Sequence, residues 1–221
     1  MNNIIIYGIF ICFIFFNGLI AQIDTNKITL INPSFEGTPR CCVPPLGWMD
    51  CGWRNETPPD ILPSEEGVEP LFTVTTLAFE GETYLGMVTR DNDSYERVVQ
   101  KLTQTLRKDI CYSFSIYLCR SKEYMSTSQK DPYTLIHFNK PIMLRIYCGD
   151  AYCHQKELLG ESAIVDNSEW KKFSFEFKPS SDAMYIELEA FYDDPDSEPY
   201  NGNILLDNAS DIVRINCSKE K

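Results

Sequence analysis

The sequence predicts an all-β fold, an antiparallel sandwich of roughly eight to ten short strands. Several segments alternate strictly between apolar and polar residues, which is the pattern of half-buried strands. Gly, Pro, Asn and Asp separate these segments, and helical periodicity is hard to find along the chain. The 221 residues suffice for one such domain with long loops.

The first half of the chain opens with a predicted strand at residues 27–31. Residues 41–67 are rich in Pro, Trp and Cys and are expected to form a long structured loop. A second strand is expected at 69–77. The segment 81–87 carries a Gly-x-x-Tyr-x-Gly pattern that leads into a strand, and residues 95–102 alternate as a further strand.

The central segment begins with a predicted turn or short helix at 104–109. Residues 111–119 then alternate almost perfectly. One set is expected to face the core: Tyr112, Phe114, Ile116 and Leu118. The other set faces away from it: Cys111, Ser113, Ser115, Tyr117 and Cys119. The polar residues 121–140 form an insertion, expected to be a loop that crosses a sheet edge.

The second half repeats the strand pattern. Strands are predicted at residues 142–147, 170–177, 183–192, 203–206 and 210–215. Within them, Phe173, Phe175 and Phe177 share one face, and Met184, Ile186, Leu188 and Ala190 lie opposite Tyr185, Glu187, Glu189 and Phe191.

The amino terminus is predicted to be a secretory signal peptide, residues 1–21. Residues 4–16 are almost continuously apolar, and Ala21 supplies the small residue before the cut. The mature chain, 22–221, is expected to be one domain that is secreted, periplasmic or at the cell surface. An uncleaved membrane anchor is the alternative.

The net charge of −12 comes from 32 acidic and 20 basic residues. Such a chain repels nucleic acid phosphates and anionic membranes. We therefore expect no nucleic acid partner, and no membrane contact after the signal is cleaved.

Nine cysteines occur, and eight of them lie beyond residue 21, which in an exported protein indicates disulfides. Cys111 and Cys119 stand too far apart on one strand to pair. We predict a Cys148–Cys153 bond across a short loop, and a bond from Cys42 or its neighbour to Cys51. A zinc site is the rival, weakened by the absence of any Cys-x-x-Cys pair and by only two histidines.

Three short motifs occur along the chain: NPSFEG at 32–37, GETYLG at 81–86 and NILLDN at 203–208. The first and the last lie near the two ends of the predicted mature domain. Together with the Trp-containing loop, these motifs resemble the galactose-binding-like jelly roll. That fold is used by carbohydrate-binding modules and by many secreted proteins of Bacteroidota. The resemblance implies an antiparallel jelly-roll β-sandwich, here stabilised by disulfides.

The same resemblance implies a structural Ca²⁺ held by Glu36 and Asp207, where the first and last strands meet. Two carboxylates on neighbouring strand ends suit a hard cation that takes six to eight oxygen ligands. The alternative is that both carboxylates cap loops by accepting backbone N–H groups.

The loop tryptophans are the candidate ligand site. Trp48 and Trp53 stand near Arg54, Asn55 and Asp60, and sugar binding needs an aromatic plate with a few polar groups beside it. The alternative is that the rings plug one end of the sandwich, since Trp is highly buried on average.

Motifs of catalysis are missing from the sequence: it has no Gly-x-Ser-x-Gly, no His-x-x-Glu-His and no Glu-x-x-His. The sequence therefore favours a non-catalytic, secreted module that binds a glycan or cell-surface polysaccharide and holds a structural calcium ion. A cell-envelope adhesion module that contacts proteins is the first alternative, and a glycan-active enzyme with paired carboxylates is the second.

Overall fold

The computed structural model describes residues 26–64, 69–193 and 198–217. The predicted signal peptide lies outside these residues. Fourteen strands are described, in chain order: β1 (Lys27–Ile28), β2 (Met49–Asp50), β3 (Asp60–Pro63), β4 (Thr83–Thr89), β5 (Arg97–Leu106), β6 (Cys111–Cys119), β7 (Met125–Ser126), β8 (Ile136–His137), β9 (Met143–Gly149), β10 (Glu157–Glu161), β11 (Lys171–Phe177), β12 (Ala183–Phe191), β13 (Gly202–Asp207) and β14 (Ile212–Ile215). No helix in this part of the chain is long and apolar enough to cross a membrane.

Two antiparallel sheets form the sandwich. The seven-stranded sheet runs β1-β14-β6-β13-β4-β3, with β11 on the other edge of β6, and the five-stranded sheet runs β10-β9-β12-β5-β2. β7 and β8 form a separate hairpin within the insertion at 121–140. This arrangement confirms the predicted antiparallel jelly-roll β-sandwich.

The core lies between the sheets and follows from the alternation in the sequence. On β6, Tyr112, Phe114, Ile116 and Leu118 are all buried in it, as predicted. On β12 the buried core residues are Ala183, Ile186, Leu188 and Ala190. Because side chains alternate along a strand, the residues between them face the outside of the sandwich. Met184, expected on the same face as the core residues, is instead 40% exposed, because the register shifts between Ala183 and Tyr185.

The predicted strand at 69–77 is wrong. Leu71–Thr73 forms a turn of 3₁₀-helix in which Phe72 and Thr73 have left-handed φ values of 54° and 65°. The carbonyls that follow accept hydrogen bonds from side chains, because Tyr84 Oη donates to Thr76 O and Trp170 Nε1 donates to Leu77 O. In this segment the backbone carbonyls of Thr76 and Leu77 are therefore satisfied by side-chain donors and not by a neighbouring strand.

The disulfide pairing also differs from the prediction. Cys51 bonds Cys153 across a sequence separation of 102, with Cα atoms 5.4 Å apart. Cys148 faces the core on β9 and is 1% exposed, so it cannot reach Cys153 outside the sheet. Since Cys51 is used in this way, Cys42 is a free thiol.

A second disulfide joins Cys111 at the start of β6 to Cys217 near the carboxyl end, with Cα atoms 5.2 Å apart. Cys119, at the far end of β6, is buried and free. The prediction that Cys111 and Cys119 do not pair with each other is confirmed.

Peptide mapping of the unreduced protein is therefore expected to yield two cross-links, Cys51–Cys153 and Cys111–Cys217. The other four cysteines of the described chain should be free thiols. Cys41 and Cys42 are at least partly exposed and should be alkylated in the folded protein, whereas Cys119 and Cys148 are buried and should react only after unfolding. A cross-link between Cys148 and Cys153 would contradict the orientation of the Cys148 side chain, which points into the core from β9.

Candidate functional site

The outer face of the five-stranded sheet carries a row of polar side chains. Glu187 and Glu189 alternate with core residues on β12, and the register places Glu187 opposite Tyr147 of β9 and Glu189 opposite Arg145 of β9 and Arg97 of β5. Carboxylates and guanidinium groups thus interleave across three central strands.

The two glutamates are nevertheless covered: Glu187 is 3% and Glu189 is 1% exposed. Gln155 lies over both, because its Nε2 donates to Glu187 Oε1 at 2.9 Å and to Glu189 Oε2 at 2.6 Å. Arg97 Nη1 is 3.3 Å from Glu187 Oε1. Loss of solvent raises the pKa of Glu187 to about 7, although Arg97 opposes the shift, and burial also raises the pKa of Glu189.

The segment that covers this face is the connection between β9 and β10, residues 150–156. The Cys51–Cys153 disulfide ties it to the chain leaving β2. A hydrogen bond reinforces the tie, since Tyr152 Oη donates to Asp50 O at 2.6 Å. The disulfide therefore joins two loops that are distant in sequence.

Each of these loops presents a half-exposed aromatic ring. Trp53, two residues after Cys51, is 46% exposed, and Tyr152, one residue before Cys153, is 50% exposed. We name this pair the aromatic ledge. Trp53 rests edge-on against Tyr95, with ring centroids 5.6 Å apart and an interplanar angle of 86°. This contact with Tyr95 restricts the motion of the Trp53 ring and leaves part of its surface accessible to a ligand.

Polar groups border the ledge on both sides. Arg54 and Asn55, two of the polar residues considered for the site in the sequence, follow Trp53 and are exposed. On the other side His154 and Asp150 form an exposed pair, with His154 Nδ1 and Asp150 Oδ1 2.7 Å apart. Asp150 forms this hydrogen bond with His154 and a further one with Lys156, and together the two bonds lower the pKa of Asp150 to about 2.

Two predicted ligand residues are not available at the surface. Trp48 is 3% exposed, packs against Phe35 with ring centroids 5.3 Å apart, and donates from Nε1 to Asn32 O at 3.1 Å. Asp60 is 5% exposed and accepts hydrogen bonds from Tyr124 Oη and the Cys42 backbone N–H. Neither side chain reaches the surface beside Trp53, so their assignment to a surface sugar site in this loop is corrected.

The predicted calcium ligands, Glu36 and Asp207, both accept hydrogen bonds from residues 79–83. Glu36 accepts hydrogen bonds from Glu82 N at 3.1 Å and from Thr83 Oγ1 at 3.2 Å. Asp207 Oδ2 accepts from Phe79 N at 2.8 Å and from Glu80 N at 3.0 Å.

The fit of this site to a cation rests on charge. Burial, and repulsion from Glu36, raise the pKa of Asp207 to about 6 against the hydrogen bonds it accepts. Among the described residues no Lys or Arg forms an ion pair with either carboxylate, and none supplies a third acidic, histidine or cysteine ligand. Gly81 keeps the cradle open, because a Cβ there would stand 1.8 Å from Glu36 Oε1.

Tyr152, Gln155 and the Glu187–Glu189 pair were not selected as site residues from the sequence. The alternation of β12 did place both glutamates on its outer face, but nothing in the spacing showed that a distant loop covers them. Tyr152 could have been noticed as an aromatic residue next to a cysteine, had the partner of Cys153 been known.

Comparison with known proteins gives similarity of structure without similarity of sequence. No protein-family model matches the chain, and no curated protein matches it. An arabinose-bound α-L-arabinofuranosidase, MgGH51, superposes with a TM-score of 0.50 at 10% identity; the match covers 86% of this chain and 26% of that one.

Two smaller domains are also similar. The CBM22-1 xylan-binding domain from Paenibacillus barcinonensis has a TM-score of 0.48 at 15% identity, covering 86% of this chain and 96% of that domain. The K1 cleaved adhesin domain of Lys-gingipain from Porphyromonas gingivalis W83 has a TM-score of 0.47 at 10% identity, covering 83% and 96%. The sheet order described above is what confirms the jelly-roll β-sandwich expected from the sequence motifs.

Proposed function

We propose that this chain is an exported, non-catalytic module that binds a glycan through the aromatic ledge and the exposed polar side chains that border it. One observation carries the proposal: a disulfide holds two half-exposed aromatic rings, Trp53 and Tyr152, on neighbouring loops, bordered by exposed polar side chains. Export is supported by the two disulfides, which persist in oxidising compartments.

The chemistry of a sugar matches this surface. A pyranose ring offers one apolar face to an aromatic plate and hydroxyl groups to side chains at its edge. Arg54, Asn55 and His154 provide such partners. Because sugars bury little apolar area, a ledge fixed before binding avoids the entropy cost of ordering loops. The net charge of −12 favours a neutral glycan over an anionic one.

A glycan-active enzyme is the second candidate, and the Glu187–Glu189 pair is the observation that favours it, since glycosidases use two carboxyl groups. The pair is covered by Gln155, however, and is less exposed than a substrate would need. Release of reducing ends from neutral polysaccharides, lost in Glu189→Gln, would establish the enzyme in place of the binding module.

Alanine substitution on the ledge tests the proposed function. We expect Trp53→Ala and Tyr152→Ala each to weaken binding on a glycan array, and on the neutral hexasaccharides of xylose, glucose and mannose, by tenfold or more, about 1.4 kcal/mol. Isothermal titration measures the affinities, and thermal melting shows whether the fold is intact.

The matched control is Tyr133→Ala, because Tyr133 is 96% exposed and is not one of the residues that form or border the ledge. It should bind like the unmodified protein. Capture of envelope proteins with no glycan bound by any variant would favour the adhesion alternative instead.

We propose in addition that Glu36 and Asp207 hold a structural Ca²⁺. The ion would neutralise two carboxylates that have no cationic partner in the described chain and would connect the segment after β1 to the end of β13. Main-chain carbonyls and water would complete its coordination, as is usual for calcium.

Calcium is expected to stabilise the fold by mass action, by about 2.7 kcal/mol at a hundredfold excess over its dissociation constant. The melting temperature should rise when calcium replaces EDTA, and Glu36→Gln or Asp207→Asn should remove most of the rise. Glu82→Gln is the control, since only the backbone N–H of Glu82 contacts Glu36. Equal melting in EDTA and calcium would leave the two carboxylates as loop caps.

A further inference from the structure

The insertion at residues 121–140 covers a cavity of about 240 Å³ at one end of the sandwich. Its hairpin, β7 and β8, forms one wall through Ser126 and its neighbours, and β4 forms another through Val88. The volume equals that of roughly eight water molecules in the liquid. It is below the ~300 Å³ at which pockets for drug-sized ligands begin, so it suits a single ring.

Two side chains fasten the insertion over the cavity. Gln129 Nε2 donates to Asn55 O at 2.9 Å, and Lys130 Nζ donates to Asp91 O at 2.6 Å. Both are on the surface, where such contacts are weak and can open. The part of the insertion around Gln129 and Lys130 is thus attached to the neighbouring loops by exposed hydrogen bonds, whereas Tyr124 at its base is buried and donates to Asp60 Oδ2.

Inside, the cavity combines polar groups with one apolar, aromatic wall. Three carboxyl groups line it, those of Glu56, Asp60 and Glu96, together with the guanidinium of Arg90. Phe72 and Tyr124 also line it, and their rings stack with centroids 5.3 Å apart. This is the combination that recognises a sugar, an apolar ring face and several hydrogen-bonding groups.

Arg90 supplies a donor that the described protein does not use. Its side chain is 8% exposed; it pairs with Glu56 and Glu96, and it donates to Thr57. Its Nη1, however, is buried without a hydrogen-bond partner. A buried donor without an acceptor costs about 1–3 kcal/mol. An acceptor bound in the cavity beside Arg90 would remove that cost.

The charges of the lining select the class of ligand. Three carboxyl groups face one guanidinium, and burial raises the pKa of Asp60 to about 6 because a charge there is poorly solvated. A carboxylate-bearing ligand would meet like charges in a poorly solvated site. A hydroxyl group, by contrast, can donate to a carboxylate and accept from Arg90 at the same time.

We propose that this cavity is a second binding site beside the aromatic ledge, which takes one neutral sugar unit under the cover formed by residues 121–140; Asn55 lies at the border of both sites. The proposal goes beyond the function assigned to the ledge and does not depend on it. It gives a role to the insertion at residues 121–140.

Amide chemical shifts measured with single sugars test the proposal directly. The ¹⁵N-labelled full-length mature protein would be titrated with D-glucose, D-galactose, D-xylose and L-arabinose to about 20 mM, well above a dissociation constant of ~1 mM. We expect at least one sugar to shift amides at Val88, Ser126 and Gln129. D-Glucuronate, which adds a carboxylate to the glucose ring, should bind at least tenfold more weakly than D-glucose.

Filling the entrance provides the matched pair of variants. Thr127 is exposed and lines the cavity, so Thr127→Trp should lower the affinity at least tenfold without touching the buried charges. Leu135→Trp, at a 60% exposed position of the same insertion outside the lining, should bind within twofold of the unmodified protein. Trp53→Ala should leave these shifts unchanged.

The proposal is overturned if none of the four sugars shifts the cavity amides, which would mean that the cavity holds water only. Equal affinity for glucuronate and glucose would overturn it as well, as would shifts confined to the aromatic ledge. The shift map of the unmodified protein decides the matter even if Thr127→Trp does not fold.

Discussion

Lowering the pH from 8 to 5 is expected to raise the free energy of unfolding of this protein by several kcal/mol. Burial raises the pKa of five acids: Asp60, Glu96, Glu187, Glu189 and Asp207. For Glu187 the folded-state pKa is about 7, against an ordinary value of 4.5. Each pKa unit corresponds to about 1.4 kcal/mol.

The sign follows from proton binding in the two states. Between the ordinary pKa and the raised one, the unfolded chain has released the proton of Glu187 and the folded chain still holds it. The unfolded state thus binds fewer protons, so stability falls as the pH rises through this interval. The acids whose pKa is lowered, such as Asp150 at about 2, act only below the interval.

Denaturant unfolding at pH 5, 6, 7 and 8 measures the effect. Glu187→Gln should remove about 2–3 kcal/mol of the change between pH 5 and 8, whatever it does to stability at one pH. Asp150→Asn, which alters an exposed acid outside the interval, should leave the change as it is. Stability that rises towards pH 8 would show that these buried acids are ionised and well paired.

Replacing Cys51 and Cys153 together by serine is expected to destabilise the fold by about 3–5 kcal/mol and to weaken glycan binding. The bond closes a loop with a sequence separation of 102, and chain-entropy estimates for such a loop approach ~5 kcal/mol. The same bond holds the loops of Trp53 and Tyr152 together, so its loss separates the two rings before a ligand arrives.

The second disulfide gives the matched control. Cys111→Ser with Cys217→Ser opens a loop with a sequence separation of 106 and should cost a similar amount of stability. Cys111 and Cys217 do not contact the ledge, so glycan affinity should persist below the melting temperature. Equal loss of affinity in both double variants would mean that the Cys51–Cys153 bond has no specific role in the site.

Much of the fold could be predicted because local alternation determines it. On β6 the pattern of Cys111–Cys119 gave both the bounds of the strand and its buried face. The segment 69–77 could not be interpreted in the same way, because its β-rich composition conceals two consecutive left-handed residues. What stabilises that segment is a set of side-chain hydrogen bonds from elsewhere in the chain, which local sequence does not show.

The candidate site was harder to predict because it depends on contacts between distant segments. Trp48 and Trp53 lie in the same predicted loop, and the local sequence does not distinguish them. In the structure, however, Trp53 is 46% exposed and Trp48 only 3%. The difference arises from Phe35, which buries Trp48 from across the loop. Similarly, nearness in sequence favoured Cys148 as the partner of Cys153, whereas the facing of β9 excludes it.

Hydroxyl-radical footprinting with mass spectrometry tests the glycan-binding ledge most directly. The protein would be oxidised with and without a saturating amount of the hexasaccharide that binds most tightly, and oxidation would be measured at Trp53, Tyr152 and Tyr133. We expect the glycan to protect Trp53 and Tyr152 and to leave Tyr133, which is 96% exposed, unchanged. Bound glycan that leaves both ledge residues as reactive as before would contradict the account.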